Sequence, residues 1–337
     1  MSSIFEEMSG REKEIYIKMW SDFDFSTMDA EIRKTNGSKN SYCFDGEGDK
    51  AHVLVKAFDI ENEDLFIEKY NMATSGSGDE KQKINILRSS SLCALLHFYN
   101  VTTDNPLILE FETNKGKRRV EFTESFFEYK NPVINQPSNM DVVLLGKDEN
   151  QDIILFLESK FSEHFKDASD VMKNAISRQY LKEGRVSAPL YDSSVLKQLD
   201  LRRVDVDEGH FKLETLDGKE IYIDGIKQMI SHYTGVMNVL NGKLYKGEKP
   251  EEHKKVDKAI QNKEAQLILG EIVFDDRIEA LAGNDYEKRY HTLAARIAEL
   301  TKEDKRFEMM IDGLGYSLFK TNAHRIEPMI KRFYRYE

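Results

Sequence analysis

Asp141, Glu158 and Lys160 are the residues of this sequence whose types and spacing could do chemistry together. Two apolar runs, 142–145 (VVLL) and 153–157 (IILFL), flank the polar, Gly-containing segment 146–152, which is the pattern of a β-hairpin. If the hairpin is symmetric about the midpoint between Glu149 and Asn150, Asp141 lies opposite Glu158, with Cβ atoms about 4.5–5.5 Å apart. Period-2 alternation puts Lys160 on the same face as Glu158. Two carboxylates beside an ammonium can hold a hard divalent cation. They can also be an ordinary i,i+2 Glu–Lys pair with an Asp for a neighbour.

The surroundings weigh on that choice. Val143, Leu145, Ile154 and Phe156 line one face of the hairpin, and Val142, Leu144, Ile153, Leu155 and Leu157 line the other. Strands apolar on both faces belong in the middle of a helix-covered sheet. Charges at the ends of such strands sit at the rim of a core, where they are costly unless paired or bound to a cation.

Elements able to carry such a hairpin can be read on both sides of it. Residues 11–22 read as a helix, 51–58 (AHVLVKAF) as a strand and 64–70 as a helical turn or two, with a flexible break at 74–79 (TSGSGD). Residues 79–100 read as a long helix, or as two shorter ones broken at Ser89, Ser90 and Ser91. Alternating runs at 107–113 and 118–123 surround a turn at Asn114-Lys115-Gly116, and 130–139 is expected to be irregular. Beyond the hairpin, 162–182 reads as an amphipathic helix, and a polar insertion holds a small hairpin, 210–216 with 219–223. Asp224 is placed to cap a helix over 225–240 that Gly242 closes. A strand at 265–274 returns to the sheet, a helix covers 285–300, strands are expected at 306–310 and 315–319, and a basic, aromatic last helix at 326–336.

Composition narrows the function. The chain has 337 residues, 40% apolar and 32% charged, enough for a substantial core and too ordered in composition for a disordered protein. Its 49 basic and 60 acidic residues leave a net charge of −11, which excludes a uniformly basic coat for non-specific nucleic-acid binding but not a local groove. Basic clusters occur at Lys115, Lys117, Arg118 and Arg119; at Lys254 and Lys255; and at Lys331, Arg332 and Arg335, each also readable as solvated surface. Cys43 and Cys93 have no zinc-type spacing. There is no apolar leader and no run of 18 apolar residues, so no signal peptide or membrane span is expected and the cytoplasm is the expected compartment.

The order helix, three antiparallel strands with Asp and Glu-x-Lys on the last two, helices and a further strand resembles the PD-(D/E)XK nuclease superfamily, the restriction-endonuclease-like fold. The signature reads Asn139-Met140-Asp141, then Glu158-Ser159-Lys160 after sixteen intervening residues. Asn139 and Met140 precede the aspartate where Pro often stands in that superfamily. The surrounding stretches GSGDEKQKINILRSSSLCALLHF, FFEYKNPVINQPSNMDVVL and ESKFSEHF resemble an uncharacterised bacterial branch of restriction type.

The resemblance implies an α/β fold with a mixed central sheet flanked by helices and with N- and C-terminal additions. Its limits would be an N-terminal segment 1–78, a core 79–275 with an insertion at about 184–223, and a helical extension 276–337. It implies a Mg2+-dependent endonuclease, with Mn2+ as substitute, acting on nucleic acid, in the first instance double-stranded DNA, and a homodimer as one assembly. Asp141, Glu158 and the Ser159 backbone carbonyl would be metal ligands, and Lys160 would position water or stabilise charge on the phosphate.

Glu80 is the candidate extra acid from the first core helix, or a plain helix-terminus charge. Glu128 is a second candidate, with exposure at a strand end as the alternative, and Glu163 is explained by a helix N-terminus. Gln228 and His232 share one helix face. Gln228 is the candidate contact to the site or the DNA backbone, although Tyr233 follows it by five residues and misses the superfamily's Q-x-x-x-Y spacing. His232 is equally a packing residue. Two other functions stay open: a non-catalytic scaffold that kept the fold, and a metal-dependent hydrolase of small phosphorylated compounds.

Overall fold

The computed structural model describes residues 5, 8, 10–35, 41–75, 80–134, 137–149, 151–161, 175–218, 224–274 and 286–336. The chain opens with α1 (Gly10–Trp20), the ribbon β1 (Glu31–Lys34) and β2 (Tyr42–Asp45), and the helices α2 (Lys50–Phe58), α3 (Glu63–Ala73), α4 (Glu80–Lys83) and α5 (Ser90–Phe98). A meander follows, β3 (Leu107–Thr113), β4 (Gly116–Pro132), β5 (Pro137–Asp148) and β6 (Gln151–Lys160). A small antiparallel sheet is built from β7 (Ile176–Ser177), β8 (Leu201–Asp205) and β9 (His210–Thr215), with α6 (Ser193–Gln198) beside it. The chain then runs through α7 (Asp224–Leu240), α8 (His253–Gln261), β10 (Gln266–Val273), α9 (Tyr286–Leu300), β11 (Phe307–Met309), β12 (Leu314–Gly315), α10 (Leu318–Thr321) and α11 (Pro328–Tyr334).

The central sheet has the order β11-β10-β6-β5-β4-β3, with β12 also on β10. The meander is antiparallel, whereas β10 lies parallel to β6 and to β11. α7 packs on β4, β5 and β10, and α5 packs on β5 and β6. At β6 these are opposite faces. Ser159 reaches the Ser90 carbonyl beside α5, while its neighbours Glu158 and Lys160 reach His232 and Gln228 of α7. This is a mixed sheet flanked by helices, consistent with a restriction-endonuclease-like fold. All five residues of 153–157 are at most 1% exposed, as strands apolar on both faces require. Each such Leu, Ile or Phe contributes about 1.5–3 kcal/mol of burial.

Two close approaches depend on glycine. In β5, Gly146 faces β4 where the register slips between Phe122 and Glu124, and a Cβ there would lie 2.3 Å from the Glu121 carbonyl oxygen. In α7, a Cβ at Gly235 would lie 2.6 Å from the Asn131 Cβ of β4. Gly235→Ala is therefore expected to push α7 off the sheet and to cost about 1–3 kcal/mol. A shift of the chemical-denaturation midpoint measures it, and an unchanged midpoint would contradict this packing.

The two ends of the sheet meet at one corner. Thr113 of β3 bridges Met310, and the Asn114 N–H donates to the Met309 carbonyl at 3.0 Å. Arg118 of β4 spans the same corner to Glu308 of β11, a fully buried carboxylate that also accepts from the Thr113 hydroxyl at 2.7 Å. The C-terminal helix is packed in as expected: the Trp20 indole N–H donates to the Phe333 carbonyl at 3.1 Å. His97 is buried nearby, and its pKa is pushed down to about 3 by desolvation. As a neutral ring it donates from Nδ1 to the Cys93 carbonyl at 2.6 Å and accepts at Nε2 from the Tyr336 hydroxyl at 2.8 Å.

Several sequence expectations are corrected. Residues 51–58 are helix α2, not a strand, because they are buried on nearly every side and alternation has nothing to report; Asp49 caps the helix by accepting from the His52 N–H at 3.1 Å. Of the two readings of 79–100, the broken one holds, as the two helices α4 and α5. Ile86 pairs with Cys43 between them, and Ser89 caps α5. The region 130–139 is strand on both sides, with Pro132 paired to Pro137. Residues 162–174 of the expected 162–182 helix lie outside the described residues, and the rest are β7 and a 3-10 turn, Arg178–Leu181. β9 pairs with β8, and residues 219–223 of the expected small hairpin lie outside the described residues. Where a strand was expected at 315–319, β12 gives way to α10. Helix α8 was not anticipated. Among the described residues no helix is long and apolar enough to cross a membrane.

Candidate active site

The β5–β6 hairpin has the symmetric register: Val142 pairs with Leu157 and Asp148 with Gln151. Asp141 and Glu158 therefore come opposite each other one step beyond the last paired residues. Asp141 Oδ2 accepts from the Ser159 N–H at 2.7 Å. Glu158 is nearly sealed, at 2% exposed, and its oxygens are divided: Oε1 lies 2.5 Å from Lys160 Nζ and Oε2 lies 2.6 Å from His232 Nε2. Lys160 Nζ also donates to Gln228 Oε1 at 2.7 Å. The Ser159 side chain turns to the other face, where its hydroxyl meets Tyr316 OH at 2.8 Å.

α7 supplies the second half of the site because it is amphipathic at helical spacing. Ile226, Met229, Ile230 and Tyr233 are buried beneath it, and Gln228 and His232, one turn apart, reach β6. His232 is 3% exposed and its Nδ1 lies 2.6 Å from Ser138 Oγ. The helix thus contributes two polar partners to the hairpin.

The electrostatics separate the two carboxyls. Burial holds the Asp141 carboxyl well above the ordinary carboxylate value, and repulsion from Glu158 and Glu128 adds to that, against the weaker help of Lys160 and the Ser159 N–H. Burial would raise Glu158 too, but Lys160 and His232 outweigh it and bring its pKa down to about 2. Glu158 is thus fixed as an anion by its cationic and hydrogen-bonding partners, while Asp141 carries the strain of like charges. A bound cation would relieve that strain.

Neighbouring strands continue the acidic row. Glu128 stands in β4 with a φ of 51° and is 4% exposed, not exposed at a strand end as the sequence alone suggested. Glu271 of β10 pairs in parallel register with Glu158 and is 4% exposed. It was missed because nothing in the linear sequence announces a parallel pairing; an acid inside the apolar run LILGEIVF was the available signal. Glu80 opens α4, and its side chain lies outside what the structure describes, as does Glu163 altogether. Ser138 was also missed, since only the position of α7 gives it a role.

Among the described residues no group of three or more His, Cys, Asp or Glu side chains is disposed to hold a metal ion. Mg2+ commonly uses one or two carboxylates and keeps several waters. Asp141 and Glu158 fit that demand in number and in donor type, and the charge repulsion at Asp141 is what a cation would offset. The basic clusters are largely drawn into ion pairs elsewhere. Arg118 is held by Glu308 and Asp148, Arg119 lies 3.2 Å from Glu110, Lys255 lies 2.8 Å from Glu124, and Arg335 lies 2.6 Å from Asp22.

No curated protein and no solved structure matches this chain. One family model does, over residues 30–205, which takes in β1 through β8 and with them Asp141, Glu158 and Lys160, and stops short of α7 and β10. That match spans just over half of the 337 residues, and the chain belongs to the family it describes, Restriction Endonuclease associating with ARP.

Proposed function

We propose that this protein is a metal-dependent phosphodiester hydrolase of the PD-(D/E)XK type, cutting duplex DNA as a restriction or defence endonuclease. The observation that carries the reading is the meeting of Asp141, Glu158 and Lys160 at one end of the hairpin, inside a chain of a restriction-endonuclease family. Asp141, Glu158 and the Ser159 backbone carbonyl would hold Mg2+, or Mn2+ in its place. When bound, that cation supplies polarisation of the phosphoryl oxygen and a lowered pKa for the attacking water.

The chain's own groups account for the rest. Lys160, held between Glu158 and Gln228, presents its ammonium where negative charge develops on the phosphate, the kind of fixed donor that stabilises a transition state. Gln228 keeps that ammonium in place without competing for the phosphate, because its amide oxygen only accepts. The Ser159 N–H fixes one oxygen of Asp141, so the carboxylate is oriented before substrate arrives.

The test is cleavage of supercoiled plasmid and of duplex oligonucleotides with Mg2+ or Mn2+, comparing wild type with Asp141→Ala and Lys160→Ala. Nicked or linear product is expected from the wild type only, and only with metal. DNA binding without metal-dependent cutting, or cutting unchanged in both variants, would overturn the reading. Turnover of p-nitrophenyl phosphate with no cutting of DNA would replace it with a small-phosphate hydrolase.

A further inference from the structure

Beneath α7 lies a polar seam that apolar packing of helix on sheet does not call for. His232 is sealed between two groups, with Ser138 Oγ 2.6 Å from Nδ1 and Glu158 Oε2 2.6 Å from Nε2. Ser138 is paired across the β4–β5 ladder with Asn131, whose side chain is fully buried with both amide atoms lacking a hydrogen-bond partner among the described residues. A buried polar atom left unpaired lowers folding stability. The same helix gives up a side chain at Gly235 to approach Asn131. A seam this expensive, ending on a candidate metal ligand, is better explained by what it does for that ligand than by stability.

The geometry orders the protons. Glu158 is an anion and only accepts, so the His232 Nε2–H donates to it. The Ser138 hydroxyl lies against the ring's other nitrogen, Nδ1, and holds that side of the ring. With Lys160 on the other oxygen, the Glu158 carboxylate is clamped from both sides and its plane is fixed.

We propose that His232, seated by Ser138, is a positioning residue for divalent-cation binding: it clamps Glu158 in the orientation in which that carboxylate acts together with Asp141. The inference rests on the metal-dependent reading above. Partners of this kind behind a ligand typically set metal affinity by about 10–100-fold.

The experiment is isothermal titration of the full chain with Mn2+, without DNA, on wild type, His232→Ala, His232→Gln, Ser138→Ala and Asp141→Ala, with the Tm of each metal-free variant recorded alongside. His232→Ala should weaken Mn2+ binding by about 10–100-fold. His232→Gln, whose amide N–H can still reach Glu158, should recover most of that loss, and Ser138→Ala should show a smaller loss. If Asp141→Ala loses Mn2+ while His232→Ala binds as the wild type does, this inference falls and the nuclease reading stands. If His232→Ala and His232→Gln lose affinity equally and in step with their loss of Tm, His232 is a packing residue and the inference falls. A wild-type chain that binds no Mn2+ would overturn both.

Discussion

Asp141→Asn is expected to be more heat-stable than the wild-type chain at neutral pH and to lose metal-dependent DNA cleavage by about a thousand-fold, the scale on which removal of a preorganised electrostatic group acts. The unfolded chain ionises Asp141 near its ordinary value, about 3.9. In the folded chain burial and the charges of Glu158 and Glu128 raise it. Between the two values the native state binds the extra proton, so stability falls as pH rises through that window, and above it the full penalty is present. The amide removes the penalty and can still accept from the Ser159 N–H. Its gain in Tm over wild type should therefore shrink as pH is lowered toward the ordinary carboxylate range.

Glu158→Gln should behave oppositely in stability. Its folded pKa is about 2, below the ordinary value, so its contribution is present above that ordinary value and is lost as pH falls toward about 2. Paired thermal melts from pH 3 to pH 8 distinguish the two. Opposite pH trends support a charge-strained pair of unlike roles, whereas two parallel losses would mean that both acids are structural.

Arg118→Ala should cost about 3–5 kcal/mol of folding stability, the price range for removing one partner of a buried ion pair. Glu308 is fully buried and receives Arg118 Nε at 3.1 Å, and Arg118 Nη1 also donates to Asp148 at 3.0 Å. Without the guanidinium, Glu308 keeps only the Thr113 hydroxyl among these partners. Urea denaturation measures the loss. Because this corner lies at the hairpin-turn end of β5 and β6, away from Asp141, the variant should still cleave DNA at a temperature where it is folded. A loss below about 1 kcal/mol would put the pair in the class of surface bridges.

The hairpin was legible because its signal is local. Period-2 alternation and a symmetric turn fix which residues oppose each other, and the observed register follows. The final aromatic helix was equally legible, since a run such as Phe333-Tyr334 needs somewhere to be buried. Residues 51–58 were misread because burial on almost all sides erases the periodicity that separates helix from strand. Gln228 and His232 could be placed on one helix face from their spacing. That His232 would end on Glu158 depends on where α7 crosses the sheet, which is set by the close approach at Gly235 and Asn131 and is not written in α7 itself. Glu271 was hidden for the same reason: a parallel neighbour is brought in by a long crossover, with no turn to mark the register.

β6 acquires its two neighbours at very different moments. β5 precedes it directly, while β10, residues 266–273, is made only after the small sheet, α7 and α8. During synthesis a strand whose middle is apolar on both faces is therefore an open edge for a long interval, and an unpaired apolar edge is a template for pairing with other chains. The family-matched stretch ends at residue 205, before β10 exists. A fragment cut there would carry the whole Asp141–Glu158–Lys160 motif and yet leave its own Glu-x-Lys strand exposed to aggregation. The late third of the chain acts as the cover that makes the motif safe to carry.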